Sequence, residues 1–407
     1  MTATLAASAA ILKTKYPGGE LPTEAYENNT LLAMMPKATD FDGQNYVVAL
    51  RTDTTAGASA DFATALAAIA QSVYSRFTVT RVEDFAIARI KGQALKAAAK
   101  STGALVDLWD SEMKSTSHTA TRSLAVMAYR DGTGTRGFAV SGTATTAVTL
   151  GAVSGSGSVN DITNFALNMR VQAAATSGGA VRNGFATITG IDRANSTLTS
   201  GSAWSAQIIG LTTNDALLRA GDSNAVITGL AGWCPGGSNP SALFGLTRNT
   251  DPVRLAGQLF NATLVPMQEA LIEAAARVGV EGGRPSHVFM HPRDAANLKK
   301  SLDAKVQYNR VQSSVAGISF SALELEGDNG TIKVLTDMNC PRSTAFMLQL
   351  DNWRLHSLGP APQILDYDSN TFLRIASDDA YEVRLGSYLN AECNGPANQI
   401  QIQNFGA

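Results

Sequence analysis

KGQALKAAAKSTGALVDLWDSEMKSTSHTATRSLAVMAYR, Lys91 to Arg130, is the stretch whose reading decides the fold. Leu95, Ala98, Leu105, Val106, Trp109, Met113, Ala120, Leu124 and Met127 recur at steps of three or four, with two gaps bridged by Thr102 and Thr116. That spacing is one face of an α-helix. No proline interrupts the run, and Gly103 alone lowers its interior propensity. At a rise of about 1.5 Å per residue the rod spans roughly 60 Å. Globular helices average about 11–12 residues, so this one needs an equally long surface to cover its stripe.

The remaining composition says what kind of molecule could supply it. Hydrophobic residues make up 44% of the 407 positions and charged residues 16%, fewer charges than the usual quarter. Such a low-charge surface suits a chain that hides much of itself against neighbours. A net charge of −2 argues against a protein built to grip nucleic acid, which carries a basic stripe. Cys234, Cys340 and Cys393 lie far apart, an odd count with no C-x-x-C. They read as reduced thiols in a cytoplasmic protein. The start, MTATLAASAAILKTK, lacks the basic residues of a secretory signal. No apolar run is long enough to span a membrane, and no membrane partner is expected.

Before the helix, residues 1–45 read as an arm, punctuated by Pro17-Gly18-Gly19 and Pro22, that is stable only when laid across something else. Gln44–Arg51 and Arg76–Ile90 then alternate as strands, the second shifting at Glu83-Asp84. Between them lies a long stretch rich in Ala, Thr, Gly and Ser. The simplest assembly is a long β-hairpin with an extended tip, and a loop of that length is functional or held by a partner. Within the helix, Lys91, Lys96 and Lys100 crowd the N-terminal third, where the macrodipole disfavours cations. A solvated face explains them simply; the sharper reading pairs them with a neighbour's Glu83 or Asp84.

From 138 to 228 the composition shifts to short β-type runs at Ala147–Leu150, Asn168–Ala173, Phe185–Ile191, Ala206–Leu211 and Asp215–Arg219, separated by turn residues. This reads as a small barrel or sandwich inserted between helix-bearing flanks. Residues 229–340 return to mixed α/β. Pro266 opens the helix MQEALIEAAARVGV, Gly282-Gly283 ends it, Val288-Phe289-Met290 is a buried strand, and Pro292 opens another helix. Asp328-Asn329-Gly330 marks a hairpin between SFSALELE and TIKVL. From 341 to 407 the chain is mainly strands.

Nothing carries an enzyme hypothesis. His287 and His291 have the spacing of a metal pair, but Pro292 puts them across a strand-to-helix junction. Asp366-Tyr367-Asp368-Ser369-Asn370 begins like a calcium loop, then presents Thr371 and Ser377 where glycine and glutamate are due. Glu83-Asp84 and Asp378-Asp379 are adjacent, so on strands their side chains point to opposite faces. No phosphate-loop, nucleophile-elbow or zincin motif is present. No catalytic residue, metal or cofactor is expected.

The order of parts and the wording of particular stretches resemble the major capsid proteins of tailed bacteriophages, the Hong Kong-type fold. The wording lies in Asp251–Gln258 (DPVRLAGQ), EALIEAAARV, FMHPRDAANL, KVQY, DMNCPRSTAFMLQLDNWRLHSLGPAPQILD and YEVRLGSYLNAECNGP, with its acid-x-Arg at Glu382-Val383-Arg384. The resemblance covers the chain apart from roughly 138–228. It implies an α+β capsid fold: an N-terminal arm (1–45), an E-loop hairpin (46–90), the spine helix of the P domain (91–137), an inserted all-β domain (138–228), an A domain (229–340), and returning strands of P and A (341–407). It implies a non-enzymatic subunit that forms hexamers and pentamers of an icosahedral virion capsid around double-stranded DNA, assembled in the bacterial host cytoplasm. A separate scaffolding protein and a portal are the implied partners, with a decoration protein as an optional one. Intersubunit contacts are expected at Arg51, Arg76, Arg81, Glu83, Asp84, Lys91, Lys96 and Lys100. Some members join neighbours by an isopeptide bond from an E-loop lysine; Tyr46 to Ile90 contains no lysine, so none is expected here. The alternatives are a cellular nanocompartment shell of the same fold and, more remotely, an enzyme or sugar-binding protein using the insert.

Overall fold

The spine helix α3 runs Ala104–Ala128 in the computed structural model, which describes residues 29–53, 57–70, 72–93, 104–151, 162–235, 240–302, 308–312, 319–327, 330–365 and 373–405. Its described length corresponds to about 38 Å at the helical rise. Lys91 is not part of it. That residue ends a strand, Val82–Lys91, and pairs with Ala380. Leu95, Lys96, Ala98 and Lys100 lie outside the described residues. Of the expected stripe, Ala120, Leu124 and Met127 are buried, and Ser123, Ala125, Val126 and Ala128 are buried with them, so the last turn and a half is enclosed on all sides. Glu112 to Thr119 stay half-buried or exposed. The spine is anchored at its C-terminal end.

Ahead of the spine, the arm forms a short helix, α1 (Thr30–Met34), and a strand, β1 (Lys37–Ala38). Leu31, Met35 and Phe41 are buried. Buried Asp337 accepts the Leu31 amide proton at 3.1 Å and the Asn339 amide proton at 2.9 Å; burial raises its pKa and those donors oppose the rise. The described end of the arm, from Asn29 on, therefore lies across the chain's own body.

The expected hairpin divides in two. β2 (Asn45–Asp53) pairs antiparallel with β3 (Val73–Thr80), and a short helix α2 (Phe62–Ala67) stands in the tip. Past Arg81 the chain continues as β4 (Val82–Lys91), which leaves the hairpin and pairs instead with the long strand Ala380–Cys393. The break falls at Arg81, two residues earlier than the alternation suggested.

After α3 the chain forms a closed six-stranded barrel. Its strands are β5 (Thr135–Ser141), β6 (Ala147–Leu150), β7 (Arg170–Ala174), β8 (Ala186–Asp192), β9 (Thr197–Ser200) and β10 (Ala216–Arg219). Val148, Phe165, Val171, Ile188, Leu198, Trp204 and Leu217 fill it as a core of its own. The expected strand at Ala206–Leu211 is instead a helical turn, Trp204–Gln207, that plugs the barrel with Trp204. Burial of one large ring there outweighs the β-type residues that follow. Glycines mark both joints. Gly134 has φ +83, and a Cβ there would stand 2.4 Å from Asp222 O. At Gly229 a Cβ would stand 2.2 Å from Ala128 O, so the returning chain touches the backbone at the end of the spine.

The remaining strands are β11 (Gln258–Asn261), β12 (His287–Met290), β13 (Tyr308–Gln312), β14 (Ser319–Gly327), β15 (Gly330–Thr336), β16 (Thr344–Leu348), β17 (Trp353–Ser357), β18 (Gln363–Ile364), β19 (Leu373–Arg374), β20 (Ala380–Cys393) and β21 (Ile400–Gln403). Seven form one sheet in the order β11-β21-β16-β12-β15-β14-β13. This sheet is a wall with a core on each side. Val288, Met290, Ala345, Met347 and Ile402 face the helices α4 (Met267–Val280) and α5 (Pro292–Leu302). Phe289, Leu335, Phe346 and Leu348 face Leu124, Met127 and Tyr129 at the end of the spine. Period-two alternation on a sheet covered twice produces the continuous apolar runs of these strands. A second sheet is built on β20, with β17, β18, β19 and β4 paired to it and β1 paired parallel to β17. These two sheets are what the spine rests on.

Candidate assembly surfaces

The root of the hairpin is folded into the body. Val48, Phe77 and Val79 are buried, and Phe77 meets Trp233 edge-on at 4.9 Å. The indole N–H of Trp233 in turn donates to Ala391 O at 3.1 Å. Among the described residues the tip has no such cover. Phe62 is 81% exposed, Leu66 57%, Ile69 66% and Tyr74 69%. Asp61 caps α2 by accepting from the Thr64 hydroxyl at 2.7 Å and the Thr64 amide at 2.8 Å, which together lower its pKa, yet none of the helix's own residues is buried. A helix of this length does not hold in water by propensity alone. Clustered exposed apolar side chains on an ordered element mark an interaction site.

A second surface is the face of β4 and β20 turned away from the spine. Register places Glu83, Phe85, Ile87 and Arg89 beside Tyr388, Gly386, Arg384 and Glu382. Phe85 and Ile87 are about half exposed, and Phe85 packs edge-on against Tyr388 at 5.8 Å. Glu382 accepts from Arg384 Nε at 2.9 Å and from Arg89 Nη2 at 3.1 Å. These two guanidinium groups, Arg384 foremost, hold its carboxyl below the usual range. The acid-x-Arg pattern is thus two residues on one strand face, joined by an arginine almost 300 positions away in sequence.

The barrel is mounted on this sheet by buried charges. Asp84, on the inner face of β4, accepts from Arg219 Nη2 at 2.5 Å. Arg219 Nε donates to Asp222 at 2.8 Å, and Arg136 Nη2 donates to the other oxygen of Asp222 at 3.2 Å. Arg136 also donates to Ser123 Oγ on the spine and to Asn164 O, each at 3.2 Å. Burial lowers the Arg136 pKa to about 10 against the pull of Asp222.

The expected contact residues divide accordingly. Arg51, Arg76 and Glu83 are exposed. Arg81 is used within the chain, donating to Phe41 O at 3.4 Å and Gly43 O at 3.3 Å and lying over the Tyr388 ring. Asp84 is committed to Arg219, so a bridge from it to a neighbour's lysine would have to displace that arginine. Lys91 is half-buried at the end of β4. Lys96 and Lys100 lie outside the described residues. Arg89, Arg136, Arg219, Asp222 and Trp233 were not anticipated. Alternation along β4 puts Arg89 on the face of Glu83, Phe85 and Ile87 and could have flagged it; the mount joins strands too distant in sequence for any local signal. At the histidine pair, His287 Nδ1 lies 2.8 Å from Ser286 Oγ, and burial lowers its pKa to about 4. His291 Nδ1 accepts the Arg293 amide proton. Among the described residues no group of three or more metal-ligating side chains comes together.

The family model of the SU10 major capsid protein matches residues 205–381. That span holds all but the last of the stretches carrying the resemblance, and two of them supply ties in the structure. Asp251 caps a helical turn at Pro252–Ala256, and buried Asp294 ties α5 to Arg342 and the Ser343 amide. Among solved structures, the cyanophage A-1(L) capsid asymmetric unit aligns with TM-score 0.56 and 10% identity over 98% of each chain. The capsid of an empty GTA particle aligns with TM-score 0.48 and 10% identity over the whole of both chains. The holo-SrpI encapsulin of Synechococcus elongatus PCC 7942 aligns with TM-score 0.49 and 9% identity over 98% of this chain and 95% of that one. No curated protein matches the sequence. The cyanophage alignment shows the Hong Kong-type capsid fold over nearly the full length. Together, that fold and the family match support a tailed-phage major capsid protein, with a structural role.

Proposed function

We propose that this chain is the repeating subunit of an icosahedral capsid, forming hexamers and pentamers of a shell that encloses double-stranded DNA. The observation that carries this reading is the hairpin tip, an ordered, capped, apolar element with no cover among the described residues of its own chain. Burial of apolar surface is worth about 25 cal/mol per Å², and closed symmetry repeats that gain at every subunit. In this reading 29–45 is the end of the arm, β2 and β3 are the E-loop, α3 with the β20 sheet is the P domain, the seven-stranded sheet with α4 and α5 is the A domain, and the barrel is the insertion. The receiving surface for a neighbour's tip is the outer face of β4 and β20, where Phe85 and Ile87 are open. Near-neutral charge suits a container whose DNA must move in and out. A separate scaffolding protein, a portal and assembly in the host cytoplasm belong to the same reading.

The test is a Phe62→Asp, Leu66→Asp double variant. It touches nothing in the subunit's own cores, so the unassembled subunit should unfold like the unsubstituted chain while shells fail to form by sedimentation and electron microscopy. Normal shell formation by the double variant would overturn the role of the tip. Mature particles of the unsubstituted chain should show no covalent ladder on a denaturing gel, because Tyr46 to Ile90 contains no lysine.

A further inference from the structure

His356 lies where the arm, the hairpin and the β20 sheet meet. It sits on β17, paired with Ala38 of the arm strand β1 on one side and with Asn390 of β20 on the other. Its side chain is 1% exposed. Nδ1 lies 2.6 Å from Asp40 Oδ1, a carboxylate on the arm that is half exposed. Nε2 faces Glu392 Oε2, a carboxylate on β20 that is almost fully buried. Tyr46, at the start of the hairpin, stacks on the imidazole with ring centroids 4.2 Å apart, and Phe41 meets Tyr46 edge-on. The charged and titratable groups around the ring are therefore Asp40 from the arm, Tyr46 from β2, Arg354 from β17 and Glu392 from β20. Both ring nitrogens face carboxylates, and only the imidazolium has a proton to donate to each.

We propose that His356 is a proton-operated latch: as imidazolium it ties the arm at Asp40 and the hairpin root at Tyr46 to the β20 sheet, and on losing its proton it releases the arm. Of its two partners, Glu392 is buried and stays with the ring through one hydrogen bond. Asp40 is half in water and can leave at little cost. Ala38 to Tyr46 is thereby the segment that opens. The two carboxylates outweigh burial and raise the histidine pKa above its ordinary value, and Asp40's is lowered by its hydrogen bond to the ring.

The sign follows from proton counting. Between the value the histidine has in the open state, where Glu392 alone faces it, and the higher value of the closed state, where Asp40 faces it too, the closed state holds one proton more than the open one. Opening of the arm therefore grows by about tenfold per pH unit across that window and is flat above it. The latch is fully made below that window. At strongly acid pH it weakens again, when Asp40 takes up a proton.

Hydrogen exchange of the unassembled subunit, read in peptides covering 36–50 and divided by the unstructured-chain rate at each pH, measures that opening. Because no shell is needed, failure of the latch and failure of the capsid reading are separate outcomes. The unsubstituted chain should show the step. His356→Gln should show none and should exchange at the open-state level throughout, and Asp40→Asn should move the end of the step to lower pH. An unsubstituted chain without the step, or an equal step in His356→Gln, would overturn the proposal. Should His356→Gln not fold, Asp40→Asn decides alone, since an unmoved step there contradicts the latch.

Discussion

Asp222→Asn removes one charge from the barrel mount and leaves the shape of the site unchanged. In the native chain the Arg136 and Asp222 side chains are 2% and 5% exposed and meet at 3.2 Å. After substitution Arg219 keeps Asp84 at 2.5 Å, but Arg136 is left with neutral acceptors alone, the Ser123 hydroxyl, the Asn164 carbonyl and the new amide oxygen. Removing one partner of a buried ion pair costs about 3–5 kcal/mol, because the remaining charge is desolvated without compensation. The barrel strands should lose that much protection in hydrogen exchange, with a matching fall in the urea midpoint of the unassembled subunit. Arg136→Met combined with Asp222→Leu should recover most of the loss, since well-packed apolar replacement of a buried pair is near neutral. A cost for Asp222→Asn below about 1 kcal/mol, in the range of exposed pairs, would refute the reasoning. So would an apolar pair no more stable than the single variant.

Two further outcomes follow from named contacts. Gly229→Ala places a Cβ 2.2 Å from Ala128 O and 2.5 Å from Met127 O, backbone atoms that cannot yield, and should cost about 3 kcal/mol as overpacking. Gly201→Ala, where a Cβ meets nothing within 4 Å, should stay within about 0.5 kcal/mol by the same thermal denaturation. Glu382 has a lowered pKa in the folded state, so its contribution is present above its unfolded value near 4.5 and is lost as pH falls through the folded value. Glu382→Gln should therefore lower stability at pH 7 by about 1 kcal/mol or less, since both arginines are well exposed, and should flatten the acid limb of a stability-against-pH curve.

Local signals in the sequence reached most of the elements. Pro266, Pro292 and Gly282-Gly283 bracket α4 and α5, and composition alone separated the all-β insert from its flanks. The resemblance rested on residues such as Asp251, Asp294 and Asp337, which turn out to be caps and ties rather than chemistry. What the sequence could not carry was partner choice between distant strands. Val82–Lys91 alternates well enough to continue the hairpin, and nothing local says that it pairs with β20 instead. Lys91 read as helix because the stripe begins near it, whereas pairing with Ala380 holds it on the strand. The contact residues were chosen by charge and position. Asp84 and Arg81 have intrachain uses invisible without the fold, while the apolar tip at Phe62, Leu66 and Ile69 was hidden in an Ala- and Thr-rich loop with no clear period.

The central claim is that the hairpin leaves its own subunit and is buried on a neighbour in a closed shell. Cryo-electron microscopy of particles formed by this chain tests it most directly. The account expects closed icosahedral shells of hexamers and pentamers, with Phe62, Leu66 and Ile69 covered by the β4 and β20 face of an adjacent subunit. A chain that yields only discrete small oligomers, or a shell in which the tip remains in solvent, would contradict it.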